Sequence, residues 1–313
     1  MDKTSFRNWF CAKRNCQQSS GVTTFYNLRR LRGGETIPVS TKWVTSSVFS
    51  AMEKLSDVAK KNVAASLVAY LKAAKAPKNL IEKASKKMIS YAGKMQEHYS
   101  SQKKTEKQKT NWVEMKHIQD FFREKTREVS AKKLYSKADW TPSQRRLAEQ
   151  SLMLALHGGS GNPPPRLEMA ALWYTSDGHF PDKKNYLYQK KKGIWRTRIK
   201  QSKVTSKKGV MDIKISAPVA RILNRMKKYL TVGRPVFQNK TGGPLSRSAY
   251  SKRLRSLFAE RFPGKRVGAG LLRTIYLSDM YKGMPALKLS EQTAKSMMHS
   301  KRTAVEKYVK RDS

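Results

Sequence analysis

Apolar residues first fall into a regular pattern near Ser46. Val48, Met52, Leu55 and Val58 lie three or four positions apart, and Val63, Leu67, Tyr70 and Leu71 repeat that spacing. After Pro77 it returns in Ile81, Met88, Tyr91 and Met95. Such spacing puts one apolar stripe on each helix, so residues 41–100 predict a small helical bundle. The preceding residues 1–40 show no sustained period. They mix Arg29, Arg30 and Arg32 with Gly33-Gly34 and Pro38, which predicts a flexible basic arm. Residues 101–110, SQKKTEKQKT, carry no apolar side chain. They predict a solvated linker whose Lys103, Lys104, Lys107 and Lys109 face any polyanion lying alongside.

The pattern of the second half differs. A helical stretch starts near Trp112 and takes in Ile118, Phe121 and Phe122. A further one follows Thr141-Pro142, where Thr suits an N-cap and Pro the first helical position. The run from Gly158 through Pro165 must be a loop, and no Gly-Lys-Ser/Thr follows it, so it does not match a phosphate-binding loop. Beyond Arg166 the period shortens towards two, predicting strands at 171–175, 185–189, 193–199 and 210–216, with Lys207-Lys208-Gly209 as a hairpin tip. Helices are predicted again at 219–230, 246–262, 270–281 and 290–298. The order is helices, a small antiparallel sheet, then helices. That is an α+β chain with a helical N-terminal domain ahead of a mainly helical second domain at 111–313.

Charge narrows the function. The chain has 66 Lys and Arg against 22 Asp and Glu, a net charge of +44 over 313 residues. Self-repulsion on this scale opposes compaction, and a polyanionic partner relieves it. DNA or RNA is the first choice, because each neutralised phosphate releases counterions. A membrane is not expected, since no apolar run approaches ~20 residues. The two cysteines, Cys11 and Cys16, have no neighbouring histidine; they are too few for a zinc site and read as reduced thiols of an intracellular protein. Trp9, Phe10 and Cys11 do not extend into an apolar leader, so no secretory signal is expected.

Among so many basic residues an isolated Arg or Lys means little, but an ordered set stands out. Arg166 follows the Pro-rich loop, and Lys203 precedes the basic hairpin tip. Arg273 opens a predicted helix, and His299 precedes Tyr308 by nine residues. With their surroundings these positions resemble the catalytic domain of tyrosine recombinases. The wording is most similar to integrases of virophages, polinton-like elements and large DNA viruses of eukaryotes. The matching stretches are Pro163 through Ala170, Asn185-Tyr186-Leu187, Lys203 through Gly209, Pro244-Leu245-Ser246, Leu271 through Ser278 and Thr293 through Tyr308. The resemblance covers about residues 111–310, and a weaker echo in the helical region and Lys-rich linker makes 41–100 look like a core-binding domain.

The resemblance implies a site-specific recombinase or integrase. Tyr308 would attack a DNA phosphodiester and form a 3′-phosphotyrosyl bond, releasing a 5′-hydroxyl. Bond energy is conserved, so no cofactor and no obligatory metal are implied. Arg166 and Arg273 would hold the phosphate oxygens and His299 would donate another hydrogen bond to them. Lys203 would protonate the leaving oxygen as general acid, and Glu168 would orient Arg166. Lys103, Lys104, Lys107, Lys109, Arg196, Arg198, Lys207 and Lys208 are the expected DNA contacts. The two domains would clamp duplex DNA, and a homo-tetramer would hold two duplexes. If a virus or mobile element encodes the chain, it would act in the host nucleus or a viral factory. Two departures stand out. Gly270 occupies a position that is often His in the family, and Glu168 follows Arg166 by two residues where many recombinases place the acid at three. Two alternatives remain open. One is a type IB topoisomerase-like enzyme using the same chemistry to relax supercoils. The other is a basic DNA-binding protein with a decayed site.

Overall fold

The structure is a computed structural model that describes residues 1–176, 178–191, 193–202, 205, 209–282 and 308–310. The chain divides into two compact units, Met1–Ser101 and Gln102–Ser313.

In the first unit, residues 1–40 are helical and not the flexible arm expected. Helix α1 spans Lys3–Arg14 and α2 spans Gln18–Leu31. The Asp2 carboxylate accepts from the Thr4 and Ser5 backbone N–H groups at 2.7 and 2.9 Å, a strong N-cap. Phe6, Phe10, Phe25, Leu28 and Leu31 are buried. They share one core with α3 (Ser46–Glu53), α4 (Asp57–Ala73) and α5 (Lys78–Ser100). The apolar residues of α1 and α2 are sparse among polar ones, which hid their period; burial against α4 stabilises helices that the local pattern leaves weak. Tyr70 of α4 fixes the intervening loop: its hydroxyl donates to the Pro38 carbonyl at 2.8 Å and accepts from the Trp43 indole at 2.9 Å. Val48, Met52, Val63, Leu67, Leu71, Tyr91 and Met95 are buried as their spacing predicts, whereas Val58 is exposed.

The second unit begins inside the expected linker. Thr105 caps a short helix, α6 (Glu106–Asn111), through a capping box with Gln108. The buried Asn111 accepts from the Arg266 backbone N–H, while Lys265 Nζ donates to the Trp112 carbonyl at 2.8 Å. The second half of 101–110 is therefore helical and runs into a docked end at Asn111 and Trp112, although its own side chains stay mostly exposed. Helix α7 (Met115–Ala131) and α8 (Pro142–Leu154) follow, the latter with Thr141 as N-cap and Pro142 at its first turn, as the sequence predicts. Four strands come next, β1 (Leu172–Thr175), β2 (Asn185–Lys191), β3 (Ile194–Ile199) and β4 (Met211–Lys214), in the order β1-β2-β3-β4.

The sheet is mixed, not antiparallel throughout. β2, β3 and β4 pair antiparallel, but β1 runs parallel to β2, with Leu172 opposite Asn185. Tight hairpins cannot join parallel strands. The segment 176–184 is nevertheless long enough to run back along a four-residue β1, since an extended chain spans ~3.3 Å per residue. The outer edge of β1 is covered by 234–236: Tyr174 N–H donates to the Arg234 carbonyl and Val236 N–H to the Leu172 carbonyl. Helices α9 (Ala217–Met226), α10 (Arg247–Arg261) and α11 (Ala269–Met280) complete the described part. The predicted helix at 290–298 lies outside the described residues. The core gathers Ile118, Leu152, Leu187, Trp195, Leu223, Phe237, Tyr250, Phe258 and Ile275. Within it Arg253 of α10 forms an ion pair with the buried Glu149 of α8 and donates to the Gln238 carbonyl at 3.0 Å. Among the described residues no helix is long and apolar enough to cross a membrane.

Candidate active site

Three segments of the second unit converge. The first is the Pro-rich loop. A residue before proline is driven to extended backbone, and this loop ends on Arg166, itself extended (φ −76°, ψ 178°), ahead of the 3-10 turn Leu167–Ala171. Glu168 lies in that turn and is 5% exposed. Its Oε2 has no hydrogen-bond partner among the described residues.

The second segment is α11, which carries Arg273. The third is Tyr308-Val309-Lys310, which rests on the same helix. Ser278 Oγ accepts from the Lys310 backbone N–H at 2.7 Å and donates to the Tyr308 carbonyl at 3.3 Å. Leu277 and Tyr281 pack with Tyr308 and Val309. Arg273 and Ser278 thus set the two ends of one arrangement: the hydroxyl brackets the tyrosine backbone, and the guanidinium meets its side chain. Arg273 Nη2 stands 3.5 Å from Tyr308 Oη, and the guanidinium carbon lies 5.3 Å from the ring centre. At 3.5 Å the contact is long for a hydrogen bond, so it orients more than it binds.

The electrostatics tie the segments together. Burial pushes the Arg273 pKa down. Tyr308 and Glu168 oppose that shift, while the positive charge of Arg166 adds to it. Among the described residues, two guanidinium groups that repel each other beside one carboxylate leave the site with surplus positive charge. Such a site favours an anion with oxygens to share between them.

Two further residues support the site, and neither was singled out for a role by the sequence reading. Asn185, at the start of β2, is 5% exposed, and its side-chain amide is fully used. Nδ2 donates to the Gln201 carbonyl at 3.0 Å and the Glu168 carbonyl at 3.4 Å, while Oδ1 accepts from the Lys200 and Gln201 N–H groups at 2.9 and 2.8 Å. One side chain therefore joins the Arg166–Glu168 turn to the exit of β3. The signal was an Asn inside a strand pattern, where Asn is disfavoured without a specific partner. His157 is the second. It sits in the kinked turn after α8, is 1% exposed, and places Nε2 3.2 Å from the Tyr250 hydroxyl. Burial, with the Arg273 charge adding to it, holds its pKa down at about 3, so the ring is neutral. Beside it, Gly158 adopts φ +110°, which a residue with a side chain rarely does.

The other expected site residues are distributed unevenly. Lys203, Lys207, Lys208 and His299 lie outside the described residues. Gly270 is exposed, and a methyl group there would meet no described atom within 4 Å. Arg196 is committed to Asp212, with Nε 2.6 Å from Oδ1, and Arg198 lies over the Phe180 ring at 4.7 Å, so the charge of Arg196 in particular is already compensated. Lys103, Lys107 and Lys109 are exposed, Lys109 beside Glu106 at 2.8 Å; Lys104 covers the Trp112 ring at 4.3 Å. No family model matches the sequence, and no curated protein or solved structure matches it.

Proposed function

We propose that the chain breaks and rejoins double-stranded DNA through a covalent tyrosine intermediate, as a recombinase or integrase of the tyrosine type. The observation that carries this reading is the meeting of Tyr308 with Arg273, with Arg166 and Glu168 within electrostatic reach. The reaction needs an oxygen nucleophile next to a pocket that holds a phosphodiester. Tyr308 Oη attacks phosphorus, the bond to the 5′-oxygen breaks, and a 3′-phosphotyrosyl linkage replaces it. Negative charge grows on the non-bridging oxygens as this happens. Two arginines held before the substrate arrives stabilise that charge without reorganising. Lys203 is the proposed donor to the departing 5′-oxygen and His299 a further phosphate contact. Glu168 limits the repulsion between the two arginines, and a net charge of +44 supplies the affinity for duplex DNA.

The test uses a nicked duplex that releases a short strand on cleavage and so traps the covalent form. Wild type is expected to give an SDS-resistant protein–DNA adduct. Tyr308→Phe is expected to give none, with duplex affinity within a few-fold of wild type. An adduct formed equally by Tyr308→Phe would place the nucleophile elsewhere.

A further inference from the structure

Cys11 and Cys16 are the only cysteines of the chain, and the fold brings their sulfur atoms to 2.7 Å. Both are free thiols. Their meeting follows from how α1 ends. Asn15 takes the left-handed conformation (φ 44°, ψ 53°) and its N–H donates to the Cys11 carbonyl. The Cys16 N–H donates to the same carbonyl at 3.3 Å. A helix closed in this way carries the residue after the left-handed one back over the last turn, where an apolar contact usually forms. Here that contact is between two thiols. Gly21 of α2 closes the other side, for a Cβ at that position would stand 2.8 Å from Cys11 Sγ. Cys11 is buried at 7% exposure and Cys16 is half-buried, so reagents reach the pair through Cys16.

We propose that Cys11 and Cys16 are a reversible dithiol–disulfide pair, oxidised by a small-molecule disulfide of the glutathione type. The thiolate of Cys16 attacks one sulfur of oxidised glutathione and expels one glutathione thiolate, leaving a mixed disulfide. Cys11 then loses its proton, attacks the Cys16 sulfur, and expels the second glutathione thiolate. Two protein thiols are oxidised, one glutathione disulfide is reduced, and both protons end on glutathione. Little motion is needed, because a disulfide bond of ~2.05 Å is only slightly shorter than the contact already present. Burial and the neighbouring Cys11 push the Cys16 thiol up to about 11, so the first step is slow at neutral pH and the reduced form persists until an oxidant is supplied. The bond staples the α1–α2 turn and restricts the unfolded chain of the first unit. The proposal rests on nothing in the candidate active site.

The experiment equilibrates the full chain in mixtures of reduced and oxidised glutathione, quenches with acid, alkylates, and measures intact mass. The doubly alkylated species should give way directly to an unalkylated monomer about 2 Da lighter than the dithiol. With only two cysteines present, that mass assigns the bond. Persistence of two alkylatable thiols in excess oxidised glutathione, a stable mixed disulfide, or a disulfide-linked dimer would each overturn the proposal. The structural cause is tested at Asn15. Asn15→Gly keeps the left-handed turn and should leave the oxidation equilibrium within about twofold. Asn15→Val resists that conformation and should weaken it roughly tenfold. Equal equilibria in a folded Asn15→Val variant would show that the helix closure does not bring the thiols together.

Discussion

At the scale of single residues, the candidate site depends on charges held in unusual surroundings. His157 is the most informative of these, because it is buried and neutral next to the charge of Arg273. Its folded-state pKa, about 3, lies below the ordinary value of 6.5. The unfolded chain therefore binds the extra proton first, and stability falls as pH drops from 6.5 towards 3. His157→Gln should flatten this dependence between about pH 6.5 and 5, above the range where ordinary carboxylates titrate. Urea unfolding of wild type and variant across that window measures it. Parallel pH profiles would show that His157 takes up its proton as readily in the folded chain as in the unfolded one. Neither its burial nor its neighbour was legible in the sequence, since a lone His after an apolar run has no partner until α10 and α11 pack beside it. Tyr308, Arg273 and Arg166 were picked out by their order along the chain and the family it resembles; of these the structure sets Tyr308 against Arg273.

At the scale of elements, the structure adds connections that spacing cannot express. The strands were visible to within a few residues: burial alternates along β3, and β2 is a short run rich in Tyr and Leu, although its first four residues are all buried. The direction of β1 was not, because direction depends on where the segment 176–184 leads, and no residue type encodes that. The helices of 1–40 were missed for a related reason: their apolar residues gain meaning only against α4. Asn185 illustrates the functional consequence. Its amide links the Glu168 carbonyl to the Lys200–Gln201 backbone, two residues ahead of Lys203. If that link sets where Lys203 delivers its proton, Asn185→Ala should slow cleavage of an ordinary duplex far more than cleavage of a 5′-bridging phosphorothiolate, whose sulfur leaves without a proton. Lys203→Ala should show the same split. Equal slowing on both substrates would make Asn185 a support of the turn at Arg166 instead.

At the scale of the whole molecule, the charge is shared by two separately folded units, and the division between them falls after Ser101. Because α6 docks on 265–266, a cut within 103–110 would damage the second unit, whereas residues 102–313 keep it whole. The log of duplex affinity against log salt should fall with a slope of about −0.9 per phosphate neutralised. If both units contact the backbone, 102–313 alone should give a shallower slope than the full chain, and should also bind more weakly at moderate salt. Identical slopes, measured by fluorescence anisotropy, would remove residues 1–101 from the DNA contact. Affinity alone does not test the chemistry, however. The most direct measurement is to digest the trapped protein–DNA adduct with protease and nuclease and to locate the remaining nucleotide by mass spectrometry. A 3′-phosphonucleotide is expected on Tyr308 and on no other residue. A nucleotide on a different side chain, or no covalent nucleotide from a duplex that the protein binds, would contradict it.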